Sequence, residues 1–266
     1  MSNATRTYAL VTGASNGIGK AMAQECAKRG YNVLLVALPE PILEQATQEL
    51  VSEYPDQKFD SLGVNLMAKE GPQEILDWVN NNSYQVSLLI NNAGLGNSGP
   101  FTSLPASFYY GQLQLNIVSL VSLTHHFLPV LEKHNEAHVL NVASMAGFYD
   151  IPYKGIYSAS KKFVLSFSRS LNKELEQSPV NITALCPGGV LTNEDVKLRT
   201  QELGFVARKS ALLPEEVASY TLTKMFNGKR VIVPGKLSKT LKLVSSLIPY
   251  KVRMNMMANQ FIKNSR

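Results

Sequence analysis

The chain has 266 residues, of which 45% are hydrophobic and 17% charged, and it carries a formal charge of +6. That length and apolar content suit one α/β domain with a full core and exclude a disordered or low-complexity chain. Its two cysteines, Cys26 and Cys186, are spaced for neither a disulfide nor a metal site, which fits a cytoplasmic protein without a bound metal.

Taken in chain order, Tyr8 to Val11 is an apolar run of strand length, and Gly13, Gly17 and Gly19 follow at once. Ile18, Ala21, Met22, Cys26 and Arg29 then recur at helical spacing before Gly30 closes the segment. A strand, a glycine turn and a helix N-terminus in this order let a dinucleotide's pyrophosphate approach the backbone and meet free amide donors. The spacing is Gly-x3-Gly-x-Gly, not the general Gly-x-Gly-x2-Gly fingerprint, and a strand-to-helix turn needs small residues even where nothing binds. Further strand-like runs lie at Asn32 to Ala37, Val86 to Ile90, His138 to Val142, Asn181 to Leu185 and Val231 to Val233, alternating with helical stretches. They predict an α/β fold, a doubly wound parallel sheet of the Rossmann type buried on both faces. No apolar run is expected to reach membrane-spanning length, and the first strand starts too early to leave room for a signal peptide.

Tyr157 and Lys161 stand four apart in YSASK, with Ser144 thirteen residues upstream. On a helix that step puts both side chains on one face, where an ammonium stabilises an ionised phenol. Free tyrosine titrates near ~10. A cation beside it, helped by the positive charge of an oxidised nicotinamide, is expected to draw it toward neutral pH and make it a proton donor and acceptor.

These segments together resemble the classical short-chain dehydrogenases/reductases. TGASNGIG at 12 to 19 is similar to the family's cofactor motif, and NNAG at 91 to 94 to the end of its fourth strand. Asn116, Ser144, Tyr157 and Lys161 match its catalytic tetrad, and PGGVLT at 187 to 192 matches the turn that cradles the nicotinamide. The resemblance implies about seven strands, ending with RVIVP at 230 to 234, and an NAD(P)(H)-dependent enzyme interconverting a carbonyl and a secondary alcohol. It implies that Ser144 holds the substrate oxygen and that Tyr157 exchanges the proton. Lys161 would bind the nicotinamide ribose and lower the tyrosine pKa, and Asn116 would position a relay water.

Cofactor contacts are implied for Gly13, Ser15, Asn16, Gly17, Ile18 and Gly19, for Leu38, Asn65 and Leu66, and for Asn92, Ala93 and Gly94. Pro187, Gly188, Val190 and Thr192 complete the set, with Tyr157 and Lys161. At Ala37 the family's NAD-preferring members carry aspartate, and at Leu38 or Asn16 its NADP-preferring members carry a basic residue; this chain has neither signal. With no carboxylate at Ala37 to repel a 2′-phosphate, and with Ser15 and Asn16 as donors, NADPH is favoured over NADH. Glu40 could still reach the ribose, although Pro39 and Glu40 read as the opening of the next helix. The missing selectivity residues also admit an alternative, a non-catalytic dinucleotide-binding sensor or scaffold.

Apolar residues after Ser144 (Phe148, Tyr149, Ile151, Tyr153) and after Thr192 (Val196, Leu198, Leu203, Phe205) suggest a lipophilic ketone or alcohol, or else simple packing of loop on core. Of His125 and His126, one is expected to be buried and the other to face solvent or a partner subunit.

From Lys229 to Arg266 there are nine Lys or Arg and no Asp or Glu, so the remaining chain sums to −3 from 17 basic and 20 acidic residues. Leu237, Leu241, Val244 and Ile248, then Tyr250, Met254, Met257 and Phe261 beyond Pro249, recur at helical spacing. Residues 1–236 thus read as the catalytic domain and 237–266 as a basic amphipathic extension. It suits either an anionic membrane surface or the parent domain's own surface, and not nucleic acid, since it lacks interleaved aromatics. The resemblance also implies a homo-oligomer built through the helices around 105 to 131 and 157 to 176.

Overall fold

The computed structural model describes residues 7–192 and 211–263. Six strand-length runs of β-branched and leucine residues and one polar edge run form seven strands: β1 (Tyr8–Thr12), β2 (Asn32–Ala37), β3 (Phe59–Gly63), β4 (Val86–Asn91), β5 (Ala137–Val142), β6 (Val180–Leu185) and β7 (Val231–Ile232). They make one parallel sheet in the order β3-β2-β1-β4-β5-β6-β7. Strands β2, β4 and β5 are buried at every position because helices cover both faces.

Helices α1 (Gly17–Lys28), α2 (Pro41–Glu53) and α7 (Pro214–Phe226) lie on one face, where Met22, Leu50 and Leu222 pack on Val33, Leu35, Leu88 and Ile90. Helices α3 (Gly71–Asn81), α5 (Leu120–Leu131) and α6 (Gly155–Glu174) lie on the other. There Ile75, Leu123 and Phe127 meet Leu10, Leu34 and Leu89. Each such fully buried side chain contributes about 1.5–3 kcal/mol relative to exposure. The chain steps outward from β1 to β2 and β3, then returns to β4 on the far side of β1. The crevice outside the strand ends at that reversal is where open α/β sheets bind ligands.

The helical stretch Ala106–Leu131 corrects the expectation that no apolar run is of spanning length, since it is long and apolar enough to cross a membrane. Polar residues punctuate it and hid it from a reading by unbroken runs. It consists of α4 (Ala106–Leu113), a π-helical turn (Gln114–Ser119) and α5, and its Leu123, Phe127 and Leu131 are committed to the core.

Two more helices, α8 (Lys236–Ser246) and α9 (Tyr250–Lys263), follow β7. Ser238 of α8 is buried, and a Cβ at Gly188 would lie 2.8 Å from its Oγ. Ser245 donates to the Tyr149 hydroxyl at 2.9 Å, and the Lys242 ammonium sits 4.2 Å over the Phe148 ring.

Candidate active site

The turn after β1 is built by close backbone approach. Gly13 and Gly17 take φ of +63° and +53°, and a Cβ on Gly19 would stand 2.0 Å from the Gly13 carbonyl oxygen. Thr12 Oγ1 accepts from the amides of Asn92 and Ala93, each at 3.0 Å, and the Asn92 amide group donates back to the Thr12 and Gly13 carbonyls at 2.9 and 3.2 Å. This clamp locks the glycine turn to the end of β4, and sequence reading missed Thr12, its anchor. Asn16 is the N-cap of α1 and its side chain makes no cap bond, so no side chain competes for that helix's first amides.

A cleft of about 400 Å³ opens over this turn. Gly13, Ser15, Asn16, Gly17 and Ile18 form one wall, Leu38, Asn65 and Leu66 a second, and Asn92, Ala93, Gly94 and Thr192 the floor and far side. Gly19 lies directly beneath, and the Thr192 Cβ would be 3.0 Å from a Cβ on Gly17, so the segment after β6 leans on the glycine turn. Asn65 Oδ1 accepts from the Met67 amide at 2.9 Å, which fixes the loop and leaves one lone pair toward the cleft. The Leu66 carbonyl accepts from the Ser119 hydroxyl. Pro187 accepts from the Met145 amide at 2.9 Å, and Val190 bridges to Leu212. Glu40 is the N-cap of α2 and also lines the cleft, so its two sequence readings coincide at one residue. Glycines, a bare helix N-terminus and a long groove fit a dinucleotide.

The tetrad converges beside Gly94. A Cβ there would meet Asn116 Oδ1 at 3.2 Å and Lys161 Nζ at 3.3 Å, and one on Gly96 would meet the Tyr157 ring at 3.3 Å. Ser144 caps the 3-10 turn Met145–Phe148, accepting from the Ala146 amide at 3.1 Å, and also hydrogen-bonds to Tyr157. Lys161 is buried one helical turn from Tyr157 and donates to the Val142 carbonyl at 2.8 Å. Burial lowers its pKa from 10.5 to about 8.

Tyr157 behaves otherwise than the sequence reading expects of Lys161. Burial pushes the phenol up, only the Ser144 hydrogen bond opposes this, and Lys161 lies 6.0 Å from the ring centroid while bonded to Val142. Lys161 by itself does not draw the tyrosine down.

Asn116 sits in the π turn, which the Ser119 hydroxyl supports by donating to the Gln114 carbonyl at 2.9 Å. Asn116 accepts from the Leu95 amide and donates to its carbonyl, both at 2.8 Å, and donates to Ser160 Oγ at 3.1 Å. Gln112, fully buried, donates to the same Leu95 carbonyl at 3.0 Å and to Asn97 at 3.1 Å. Gln112 and Ser160 were missed in the sequence because a lone polar residue on a helix carries no signal.

Two expected pocket residues point elsewhere. Phe148 and Tyr149 turn to α8, where they line a separate hollow, because the 3-10 turn after Ser144 swings them away from the tetrad. Tyr153 does join an apolar hollow of about 470 Å³, with Phe101, Tyr109, Ile156 and Ala258 of α9. Ile151 is half-buried, and Val196, Leu198, Leu203 and Phe205 lie outside the described residues. Neither His125 nor His126 is buried, correcting the expectation for that pair; their rings meet edge to face at 5.8 Å.

Comparison with known proteins agrees with this geometry. The family model for short chain dehydrogenases matches residues 7–203. The chain is 28% identical over 243 residues to very-long-chain 3-oxoacyl-CoA reductase-B of Danio rerio, covering 84% of this chain and 76% of that protein. It is 33% identical over 195 residues to the very-long-chain 3-oxoacyl-CoA reductase of Anas platyrhynchos, covering 70% of this chain but 60% of that one. Among solved structures, a short-chain dehydrogenase from Sphingobium yanoikuyae in complex with NADPH superposes with a TM-score of 0.77 at 25% identity, covering 91% and 96% of the two chains.

Proposed function

The chain belongs to the short chain dehydrogenases and is an oxidoreductase of that NAD(P)(H)-using family; from that premise we propose that it reduces a lipophilic ketone to a secondary alcohol. The observation that carries the reading is the convergence of Tyr157, Lys161 and Asn116 beside Gly94 and Gly96. Burial pushes the phenol up and the Ser144 hydroxyl opposes this, so Tyr157 can donate a proton to a substrate oxygen. That is the arrangement of a proton donor to a carbonyl oxygen.

The reduced nicotinamide supplies the hydride when bound. Ser144 orients the carbonyl oxygen by hydrogen bond, Tyr157 gives it a proton, and Lys161 holds the nicotinamide ribose beside them. Asn116, with Gln112, acts by holding the Leu95 loop in place, and the second lone pair of Asn116 Oδ1 faces Lys161 across Gly94 as the place for the relay water.

The apolar hollow lined by Tyr153 and Ile156 supports a lipophilic substrate. The Danio rerio relative is by its name a reductase of 3-oxoacyl chains, ketones of that class. NADPH is the proposed cofactor: Ala37 and Leu38 put no carboxylate at the ribose, and Glu40 is exposed at the rim, where water screens it. The reading includes a homo-oligomer joined through α6 and the 106–131 helix, and a cytoplasmic location consistent with two free, buried cysteines.

A fluorescence titration with NADPH and NADH, followed by turnover of ketones of increasing chain length, tests the reading. Tyr157→Phe should lower turnover by at least ~10³-fold while leaving NADPH binding within about twofold. Unchanged turnover in that variant, or no binding of either dinucleotide by the native chain, overturns it; the second result favours the sensor alternative.

A further inference from the structure

Among the described residues, seventeen large apolar side chains are exposed, and seven of them fall within residues 241–256, on α8, α9 and the turn between them. Leu241, Val244, Leu247, Tyr250, Val252 and Met256 stand 41–80% exposed, Leu247 the most. Patches of this kind mark interaction surfaces. The segment's own charge is of one sign: from Lys229 onward it carries nine cations and no carboxylate. Part of that charge is committed within the chain: Lys239 donates to the Tyr220 hydroxyl at 2.6 Å, Lys242 covers Phe148, and Arg253 donates to the Ser245 carbonyl at 3.2 Å. Lys236 and Lys251 are exposed beside the apolar side chains.

We propose that α8 and α9 dock the protein on an anionic lipid bilayer, apolar side chains entering the headgroup boundary and cations meeting the lipid phosphates. Two observations select this occupant. A second copy seated on the same face would bring two carboxylate-free basic segments together, which like charge opposes. A surface that is apolar and uniformly cationic matches the two terms of interfacial binding, buried apolar area and attraction to anionic headgroups. Ala258 of α9 also borders the apolar hollow lined by Tyr153 and Ile156, so the docking helices reach that hollow. The surface does not depend on the chain's turning over a ketone.

The test is co-sedimentation of the full chain with phosphatidylglycerol/phosphatidylcholine vesicles and with phosphatidylcholine alone, at low and high salt. Binding is expected to the anionic vesicles at low salt, to fall steeply with salt, and to weaken about fivefold for each of Lys236→Glu and Lys251→Glu. Leu247→Asp, at an exposed site that leaves folding intact, should weaken binding at least as much, with thermal melting as the control on folding. Absence of binding to anionic vesicles at low salt overturns the proposal, as does equal binding to phosphatidylcholine alone. Sedimentation velocity without lipid decides the remaining case: if Leu247→Asp splits a native oligomer, the face is a contact between copies and the proposal fails.

Discussion

The glycine turn at 12–19 and the helix pair at 236–263 are built by opposite rules. Around the turn, space is the limiting quantity: Thr12, Asn92 and the Gly13 carbonyl are held by four mutual hydrogen bonds, and no atom can be added at Gly19. On α8 and α9 many apolar side chains have solvent over them, while Ser238, Lys239, Lys242, Ser245 and Ala258 are committed to the domain. The first region is therefore constrained by the fold, whereas the exposed residues of the second are the ones the docking proposal would explain.

The sharpest way to break this contrast is to add a single methyl group to the turn. Gly19→Ala must displace backbone, not a flexible side chain, and should cost more than about 3 kcal/mol in stability, with dinucleotide affinity falling at least a hundredfold. Leu247→Asp should shift stability by less than about 0.5 kcal/mol. Comparable thermal melts for the two variants would erase the distinction.

Lys161 sharpens the comparison from within the site. With its folded pKa lowered to about 8 against 10.5 unfolded, its buried charge penalises the native state fully below pH 8, and the penalty is relieved as pH rises from 8 to 10.5. Lys161→Met, which also gives up the bond to Val142, should stabilise the protein by roughly 2 kcal/mol at pH 7 while abolishing turnover. That gain should shrink across pH 8 to 10.5; a variant less stable at pH 7 would contradict it. The smallest effect is expected at the rim, where Glu40→Gln should raise affinity for NADPH relative to NADH by a few-fold, read in the same fluorescence titration. No change in the ratio would remove Glu40 from cofactor choice.

Much of this was legible in the sequence, for identifiable reasons. Buried parallel strands need mainly apolar runs, and six of the seven strands lie in one, although His138, Asn141, Asn181 and Thr183 interrupt β5 and β6. The exception is β3, whose FDSLG lies at the sheet edge with half-buried, partly polar side chains. The glycine turn and the Tyr157–Lys161 step are spacing signals and survive without coordinates. The polar supports are not: Thr12, Gln112 and Ser160 matter through partners up to 81 residues away, and single residues of those types recur everywhere in the chain. The π turn at Asn116 was hidden likewise, because its support is one hydroxyl bonding back to Gln114. Phe148 and Tyr149 were read as pocket wall because proximity in sequence to Ser144 does not reveal which way a 3-10 turn throws its side chains.

One helix ties the two regions together. Through Ser238 against Gly188, and through Lys242 and Ser245 against Phe148 and Tyr149, α8 rests on both the turn after β6 and the turn after Ser144. Mechanically it is a crossbar bolted to both sides of the reaction centre. A change in how α8 is held is thus expected to be felt at the two turns that frame the site.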